Sequence, residues 1–122
     1  MYDLLKELTE MPECERLNFQ SQYQLSELVP KGCELTEEEK TYANRSWTKV
    51  DFLLFDKTTK RPVLVIEVDG MLFHAKGTEQ WERDRKKDSI LDKAGVAYLR
   101  LPTNGSREKE KIIDCLRNIF DK

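Results

Sequence analysis

The chain has 122 residues, of which 36% are charged and 39% are hydrophobic, and its formal net charge at pH 7 is −2. This composition is typical of one globular domain and excludes an intrinsically disordered chain. The small net charge gives no general attraction to nucleic acid, so any surface that binds a polyanion must be local.

Hydrophobic periodicity and turn signals predict a single α/β domain. The predicted elements are, in chain order, helix 2–9, strand 16–29, a short helix within 34–43, strands 49–56 and 63–69, helix 79–94, strand 96–102 and helix 106–120. The step from strand 63–69 through a helix to strand 96–102 suggests a crossover connection. The sheet should therefore be mixed, with about four strands, and flanked by helices.

Local signals refine these elements. In the first strand, Leu17, Phe19 and Tyr23 are predicted to share one side. Thr36 and Glu39 have the spacing of a capping box. The other predicted helix ends are the N-caps Thr78 and Ser106 and the terminating Gly95.

The strand VLVIEVD carries the residues that point to chemistry. It is apolar on both faces, as a central strand should be, yet it contains Glu67 and ends at Asp69. Alternation places both carboxylates on one face. If the strand pairs with the preceding one as a hairpin around the 57–61 loop, Asp51 lies at the same level. Three carboxylates so close would raise one another's pKa, and a hard divalent cation, Mg²⁺ or Mn²⁺, would relieve the repulsion.

A structural interpretation competes with this one. Carboxylates near strand ends are commonly solvated or salt-bridged, and Lys49 or Arg100 are available partners. Asp69 followed by Gly70 is also ordinary turn chemistry. For Glu67, inside an apolar run, the structural interpretation is weaker, since buried acids are rare.

The order of these motifs resembles a known group of enzymes. The segments VDFLLFD, VIEVDGMLFHAKG and ERDRKKDSILDKAGVAYLRL are similar to the PD-(D/E)XK, restriction-endonuclease-like nuclease superfamily, and in particular to its very-short-patch-repair endonuclease branch. The chain also resembles, from QSQYQLSELV to LRLPTNGS, an uncharacterised nuclease-like domain found at the C-termini of superfamily 1 helicase-type ATPases. The resemblance implies a restriction-endonuclease-like fold, DNA as substrate, Mg²⁺ or Mn²⁺ as cofactor, and helicase-type motor domains as partners in a longer parent chain.

Carried over residue by residue, the resemblance assigns Asp51 and Glu67 as metal carboxylates and the carbonyl of Val68 as a further ligand. Asp69, also a catalytic candidate, occupies the position where the superfamily has a lysine. Either Asp69 ligates a metal, so that the ion supplies the missing charge, or a cation comes from the helix over 79–94. His74 matches the histidine of the repair endonucleases and is one candidate for acid–base catalysis.

The helix over 79–94 offers the second candidate for the missing cation. Gln80, Asp84, Lys87 and Leu91 lie on one continuous face, which would bring Lys87 and Asp84 to the edge of the sheet near the carboxylates. Basic residues beside this face are candidates for phosphate contacts or belong to a solvated surface: Arg83, Arg85 and Lys86. Trp81 either stacks on a base or packs in the core. The first helix offers further acidic candidates, Glu7 and, behind it, Glu10; the alternative is that both are solvated helix residues.

The sequence therefore supports two hypotheses. The first is a Mg²⁺- or Mn²⁺-dependent deoxyribonuclease domain spanning residues 1–122, and the second is an inactive DNA-binding or interaction module on the same fold. No apolar run approaches the roughly 18–20 residues of a membrane span, and no basic start with an apolar core marks a secretory signal. Three scattered cysteines fit neither a disulfide framework nor a zinc site. A cytoplasmic location is expected.

Overall fold

The computed structural model describes residues 2–69, 79–102 and 107–120. The elements are, in chain order, helix α1 (Tyr2–Thr9), strand β1 (Leu17–Gln24), helix α2 (Glu37–Ala43), strands β2 (Lys49–Asp56) and β3 (Pro62–Asp69), helix α3 (Glu79–Ala94), strand β4 (Tyr98–Pro102) and helix α4 (Glu108–Phe120). Short 3₁₀ turns at Pro12–Cys14 and Leu25–Leu28 flank β1. The predicted α/β class is confirmed.

The four strands form one mixed sheet in the order β1-β2-β3-β4. β1 pairs antiparallel with β2, β2 pairs antiparallel with β3, and β3 pairs parallel with β4. A tight turn joins β2 to β3, and Asp56 stabilises it by accepting hydrogen bonds from the N–H groups of Thr58 and Thr59 at 2.8 and 3.0 Å. The parallel pair needs a longer connection, which contains α3. The predicted central mixed sheet is therefore confirmed.

The prediction for β1 was wrong in two respects. The strand ends at Gln24, and the four residues that follow form a 3₁₀ turn that buries Leu25 and Leu28. Tyr23 packs against a different core from Phe19, although alternation predicted one side for both. Gln22 has a φ of +53°, in the left-handed region that non-glycine residues rarely adopt. This local twist interrupts the regular alternation between Phe19 and Tyr23.

The sheet has a hydrophobic core on each face. Ile66 of β3 belongs to the core that includes Leu5 and Leu8 of α1 and Ile112 and Leu116 of α4. Val65, its neighbour, belongs to the core that also includes Tyr42 and Ala43 of α2 and Ile90 and Leu91 of α3. α1 and α4 therefore cover one face, and α2 and α3 cover the other. This arrangement matters for function because Glu67 follows the same alternation as Val65, towards α3.

The ends of the helices agree with the local signals where the structure describes them. Thr36 and Glu39 form the predicted capping box of α2, each side chain binding the backbone N–H of the other. Gly95 follows the last residue of α3 with a φ of +76°, a conformation that glycine adopts without strain. The predicted N-caps Thr78 and Ser106 lie outside the described residues. None of the four described helices has the length and the apolar composition that a bilayer span requires.

Candidate active site

Asp51 and Glu67 face each other across the β2–β3 pair. Phe52 pairs with Ile66 in an antiparallel register, so Asp51, the residue before Phe52, lies opposite Glu67, the residue after Ile66. The carboxylate of Asp51 turns onto the backbone of β3, where its Oδ2 accepts a hydrogen bond of 2.8 Å from the N–H of Val68. The hairpin thus brings together Asp51, Glu67 and Val68, the three residues that the resemblance assigns as metal ligands.

Glu67 is buried at this position, with only 4% of its surface exposed. Its Oε1 has no hydrogen-bond partner among the described residues. The ammonium group of Lys87 lies 3.1 Å from that oxygen, as a charge contact rather than an aligned hydrogen bond. Burial raises the pKa of Glu67 to about 7; Lys87 opposes this shift, and the neighbouring Asp51 adds to it. The carboxyl group is therefore held between its charged and neutral forms near neutral pH.

Lys87 reaches this pair from α3. Leu91, one turn further along the helix, is fully buried and fixes the helix face against the sheet. The side chain of Lys87 is 14% exposed, and its Nζ also donates a hydrogen bond of 2.9 Å to the carbonyl of Lys49. The predicted face of α3 is thus turned towards the carboxylates. The cation found beside Glu67 comes from the helix, at the position expected to replace the lysine missing from β3.

Asp84 lies on the same face but contacts β4. Arg100 places its Nη1 3.7 Å from the Asp84 carboxylate and donates from Nη2 to the Asp84 carbonyl at 3.3 Å. The same guanidinium binds Asp88 at 2.6 Å. Arg100 therefore ties α3 to the parallel strand next to β3, which helps to hold Lys87 in place. Sequence reasoning offered Arg100 as a partner for the strand carboxylates, whereas these contacts join it to two carboxylates of α3.

Other charged candidates have partners elsewhere. Glu7 pairs with Lys109 of α4 at 2.8 Å, which lowers the pKa of Glu7, and α1 covers the sheet face opposite α3. Arg83 pairs with Glu79 one turn back along α3 at 3.3 Å. Among the described contacts, neither Glu7 nor Arg83 touches Glu67, and their predicted roles stay predictions. Lys86 pairs with Glu38 of α2 at 2.6 Å.

Several predictions fall on parts that the structure does not describe. β3 ends at Asp69, whose backbone pairs with Pro102, but the Asp69 side chain is outside the described atoms. Gly70 and His74 lie outside the described residues, as do the side chains of Gln80 and Trp81. Among the described side chains, which do not include that of Asp69, no three His, Cys, Asp or Glu groups converge as a metal cluster.

Sequence reasoning missed one neighbouring feature, a cleft of about 330 Å³ between the α2–β2 turn and α3. Lys87 lines this cleft and also contacts Glu67, so the cleft adjoins the carboxylate pair. Its outer wall carries Trp47, which is 73% exposed, and Arg45. The available signal was the segment NRSWTK, in which a tryptophan stands in a polar turn between basic residues.

The comparisons with known proteins assign a family but no activity. Neither the curated proteins nor the solved structures give a significant match to this chain. The sequence model of one family matches residues 2–119, which is nearly the whole chain. The match includes every described element of the fold except the last residue of α4. The chain thus belongs to the family described as protein of unknown function DUF2726.

Proposed function

We propose that this protein is a metal-dependent nuclease domain that hydrolyses phosphodiester bonds of DNA. The observation that carries the proposal is Glu67, a carboxylate 4% exposed that faces Asp51 and Lys87. A buried acid beside a second acid raises the free energy of the native state. A catalytic role explains why such an arrangement lies at the edge of a cleft.

The fold supports a restriction-endonuclease-like assignment. A β-hairpin followed by a helical crossover to a parallel strand, in a mixed sheet between two helical layers, is the architecture that the sequence resemblance implies. Within it, the acidic pair lies on the two central strands, and the cation lies on the crossover helix. The proposal thus rests on Asp51, Glu67 and Lys87, which lie on three different elements and together form a catalytic arrangement of two acids and one cation.

The residues present suit a divalent cation. Glu67 Oε1 is a buried oxygen without a hydrogen bond among the described residues, and carboxylate oxygens are the ligands that Mg²⁺ and Mn²⁺ prefer. Asp51, Glu67 and the carbonyl of Val68 would hold the ion. Such an ion supplies Lewis-acid polarisation of a phosphoryl oxygen when it is bound.

The protein's own side chains contribute orientation and charge. Asp51 is fixed by the Val68 N–H, so its second oxygen is presented in a constant direction. Lys87, held by Glu67 and by the carbonyl of Lys49, offers a positive charge to the phosphate where β3 has Asp69. Electrostatic stabilisation of this kind is strongest in a site that excludes water. The burial of Glu67 indicates that this site is shielded from water.

The proposed setting follows from the resemblance to domains of helicase-type ATPases. Motor domains in the same parent chain would deliver this module to DNA, which suits a chain with a net charge of only −2. A module brought to its substrate by a covalently linked motor needs little affinity of its own, because linkage raises the effective concentration. The proposed location is the cytoplasm.

Cleavage assays with Mg²⁺ and Mn²⁺ on single-stranded, double-stranded and forked DNA test the proposal. Glu67→Gln should lower the cleavage rate at least about a hundredfold, because it removes a charge on which the transition state depends. Glu39→Gln is the matched control, since Glu39 is also a buried glutamate that pairs with a lysine of α3. Equal rates for wild type and Glu67→Gln would exclude the assignment.

One observation favours the second candidate, an inactive DNA-binding module. The charge of Glu67 is already balanced in part by Lys87, and Asp51 is engaged by the backbone of β3. Such contacts also occur in a purely structural cluster. Wild-type protein that binds DNA but cleaves none of the three substrates, in either metal, would support this function over the first.

A further inference from the structure

Trp47 stands exposed on a turn that is firmly held. The N–H of Thr48 binds the carbonyl of Arg45 at 3.1 Å, and the carbonyl of Thr48 accepts from Leu25 N–H at 3.0 Å. The side chain of Gln24 donates to the carbonyl of Ser46 at 2.9 Å. The turn is thus anchored to the residues that end β1 and follow it, while the tryptophan remains 73% exposed. A large aromatic side chain presented on a fixed backbone offers a face on which another ring can stack.

The surroundings of Trp47 are cationic and aromatic. The guanidinium of Arg45 lies 5.9 Å from the ring centroids of both Tyr42 and Trp47, within the range of cation–π attraction. The cleft below these rings is lined by further basic residues: Lys49, Arg83 and Lys87. Among the described lining residues one is acidic, Asp84, and it is engaged by Arg100. The lining is therefore more basic than acidic in a chain with a net charge of −2, although Arg83 and Lys87 also have the acidic partners Glu79 and Glu67.

The cleft leads directly to the acidic pair. Trp47 precedes Asp51 by four residues, which span at most about 14 Å of extended chain. At about 3.4 Å per nucleotide of one strand, this distance corresponds to a few nucleotides. Lys87 lines the cleft and contacts Glu67 at 3.1 Å. A strand lying in the cleft would therefore bring its backbone towards the carboxylates.

We propose that this cleft binds a single strand of DNA, with an unpaired base stacked on Trp47 and the backbone following Lys49 and Lys87 towards Asp51 and Glu67. The inference rests on the proposed function, because the strand in the cleft would be the substrate of the adjacent site. Aromatic stacking combined with a basic groove is the general means by which proteins hold single strands. In a duplex the base faces are already stacked, so Trp47 would gain no partner there.

Binding is measured with fluorescein-labelled oligothymidylate and with a duplex of the same length, in EDTA so that no cleavage occurs. Trp47→Ala should weaken binding of the single strand by about fivefold to a hundredfold and leave duplex binding unchanged. Trp47→Phe keeps an aromatic face and should retain most of the affinity. Phe120→Ala is the control, because Phe120 is also a largely exposed aromatic residue and lies on α4, which covers the opposite face of the sheet.

Three results would overturn the inference. They are the absence of oligothymidylate binding by wild type, an unchanged affinity in Trp47→Ala, and an equal loss of affinity for single strand and duplex.

The outcome is separable from that of the proposed function. Cleavage that depends on Glu67, together with unaltered binding by Trp47→Ala, removes this inference alone. Selective loss of single-strand binding in Trp47→Ala, with no cleavage by wild type, removes the nuclease and keeps the single-strand site.

Discussion

Two buried glutamates of this protein pair with lysines of the same helix but have opposite electrostatics. Glu39 is 7% exposed and pairs with Lys93 at 2.6 Å, whereas Glu67 is 4% exposed and pairs with Lys87 at 3.1 Å. The pKa of Glu39 is lowered to about 2, and that of Glu67 is raised to about 7. Burial raises the pKa of both side chains, but hydrogen bonds outweigh it at Glu39, whereas it is the largest cause of the shift at Glu67.

Hydrogen bonding separates the two sites. Glu39 accepts from Lys93 at 2.6 Å, from the Ser89 hydroxyl at 2.7 Å and from the Thr36 N–H at 2.9 Å, and these donors stabilise its charged form. Glu67 faces a second carboxylate, and its Oε1 lacks a hydrogen bond among the described residues. Glu39 is fully hydrogen-bonded and joins α2 to α3, whereas Glu67 has an ion pair with Lys87 but no aligned hydrogen bond to its Oε1 among the described residues. The comparison therefore distinguishes a structural carboxylate from a candidate functional one.

The largest expected effect is on the pH dependence of stability. Between about pH 4.5 and 7 the native Glu67 carboxyl holds a proton that the unfolded chain has released, so its contribution to the free energy of unfolding falls as pH rises. The fall amounts to about 3 kcal/mol at roughly 1.4 kcal/mol per pH unit. Urea unfolding of wild type and Glu67→Gln at several pH values in this range tests the prediction. The difference in the free energy of unfolding between the two proteins should change by this amount.

Glu39→Gln provides the matched control for that experiment. The lowered pKa of Glu39 contributes stability that is present above about pH 4.5 and is lost only as pH falls towards 2. The difference between wild type and Glu39→Gln should therefore stay constant between pH 5 and 7. If the difference in the free energy of unfolding between wild type and Glu67→Gln is also constant over this range, the two glutamates are electrostatically alike.

The next effect is stabilisation by divalent metal. An ion that binds only the native state adds about 2.7 kcal/mol to the free energy of unfolding at a concentration a hundredfold above its Kd. Thermal unfolding with Mn²⁺ should show this increase for wild type, and EDTA should reverse it. Asp51→Asn should lose the increase and gain stability without metal, since it removes a like charge beside Glu67. Equal Mn²⁺ responses in the two proteins would refute a site at Asp51.

Much of the acidic site was predictable because it depends on regular local rules. A strand apolar on both faces predicts the burial of Glu67, and a short hairpin loop fixes the register that places Asp51 opposite it. Helical periodicity likewise predicts that Lys87 shares a face with Leu91. Each of these inferences uses one element and its neighbour, so no long-range packing has to be known.

The remaining features depend on contacts between distant parts of the chain. The capping box predicts the local role of Glu39, but its partners Ser89 and Lys93 lie about fifty residues further along. The exposure of Trp47 depends on how its turn docks onto the end of β1. The left-handed conformation of Gln22 has no signal in the residue type. Side-chain alternation therefore failed for Tyr23, where one unusual backbone angle intervened.

Glu39→Gln should itself lower the free energy of unfolding by about 2 kcal/mol at neutral pH, because the buried hydrogen bonds to a charged acceptor are weakened. Urea unfolding at pH 7 measures this loss. Glu67→Gln under the same conditions should cost less, or should stabilise the protein, because it removes a carboxylate that burial disfavours. A greater loss in Glu67→Gln than in Glu39→Gln would reverse the assignment of structural and functional roles.

The smallest effect is expected at a third lysine of α3. Lys86 pairs with Glu38 at 2.6 Å, but the Glu38 side chain is 72% exposed, so solvent screens the attraction. Such surface pairs contribute about 0.2–1 kcal/mol. Lys86→Met should therefore change the unfolding midpoint in urea only slightly, and added salt should remove most of the difference.

Lys87→Met, which leaves the buried Glu67 without its cation, should raise the pKa of that carboxyl further. Its effect on stability should persist in salt, because the pair is shielded from solvent. If salt abolishes both effects equally, Lys87 is a surface residue in solution, and the distinction drawn between the buried and exposed pairs of α3 does not hold.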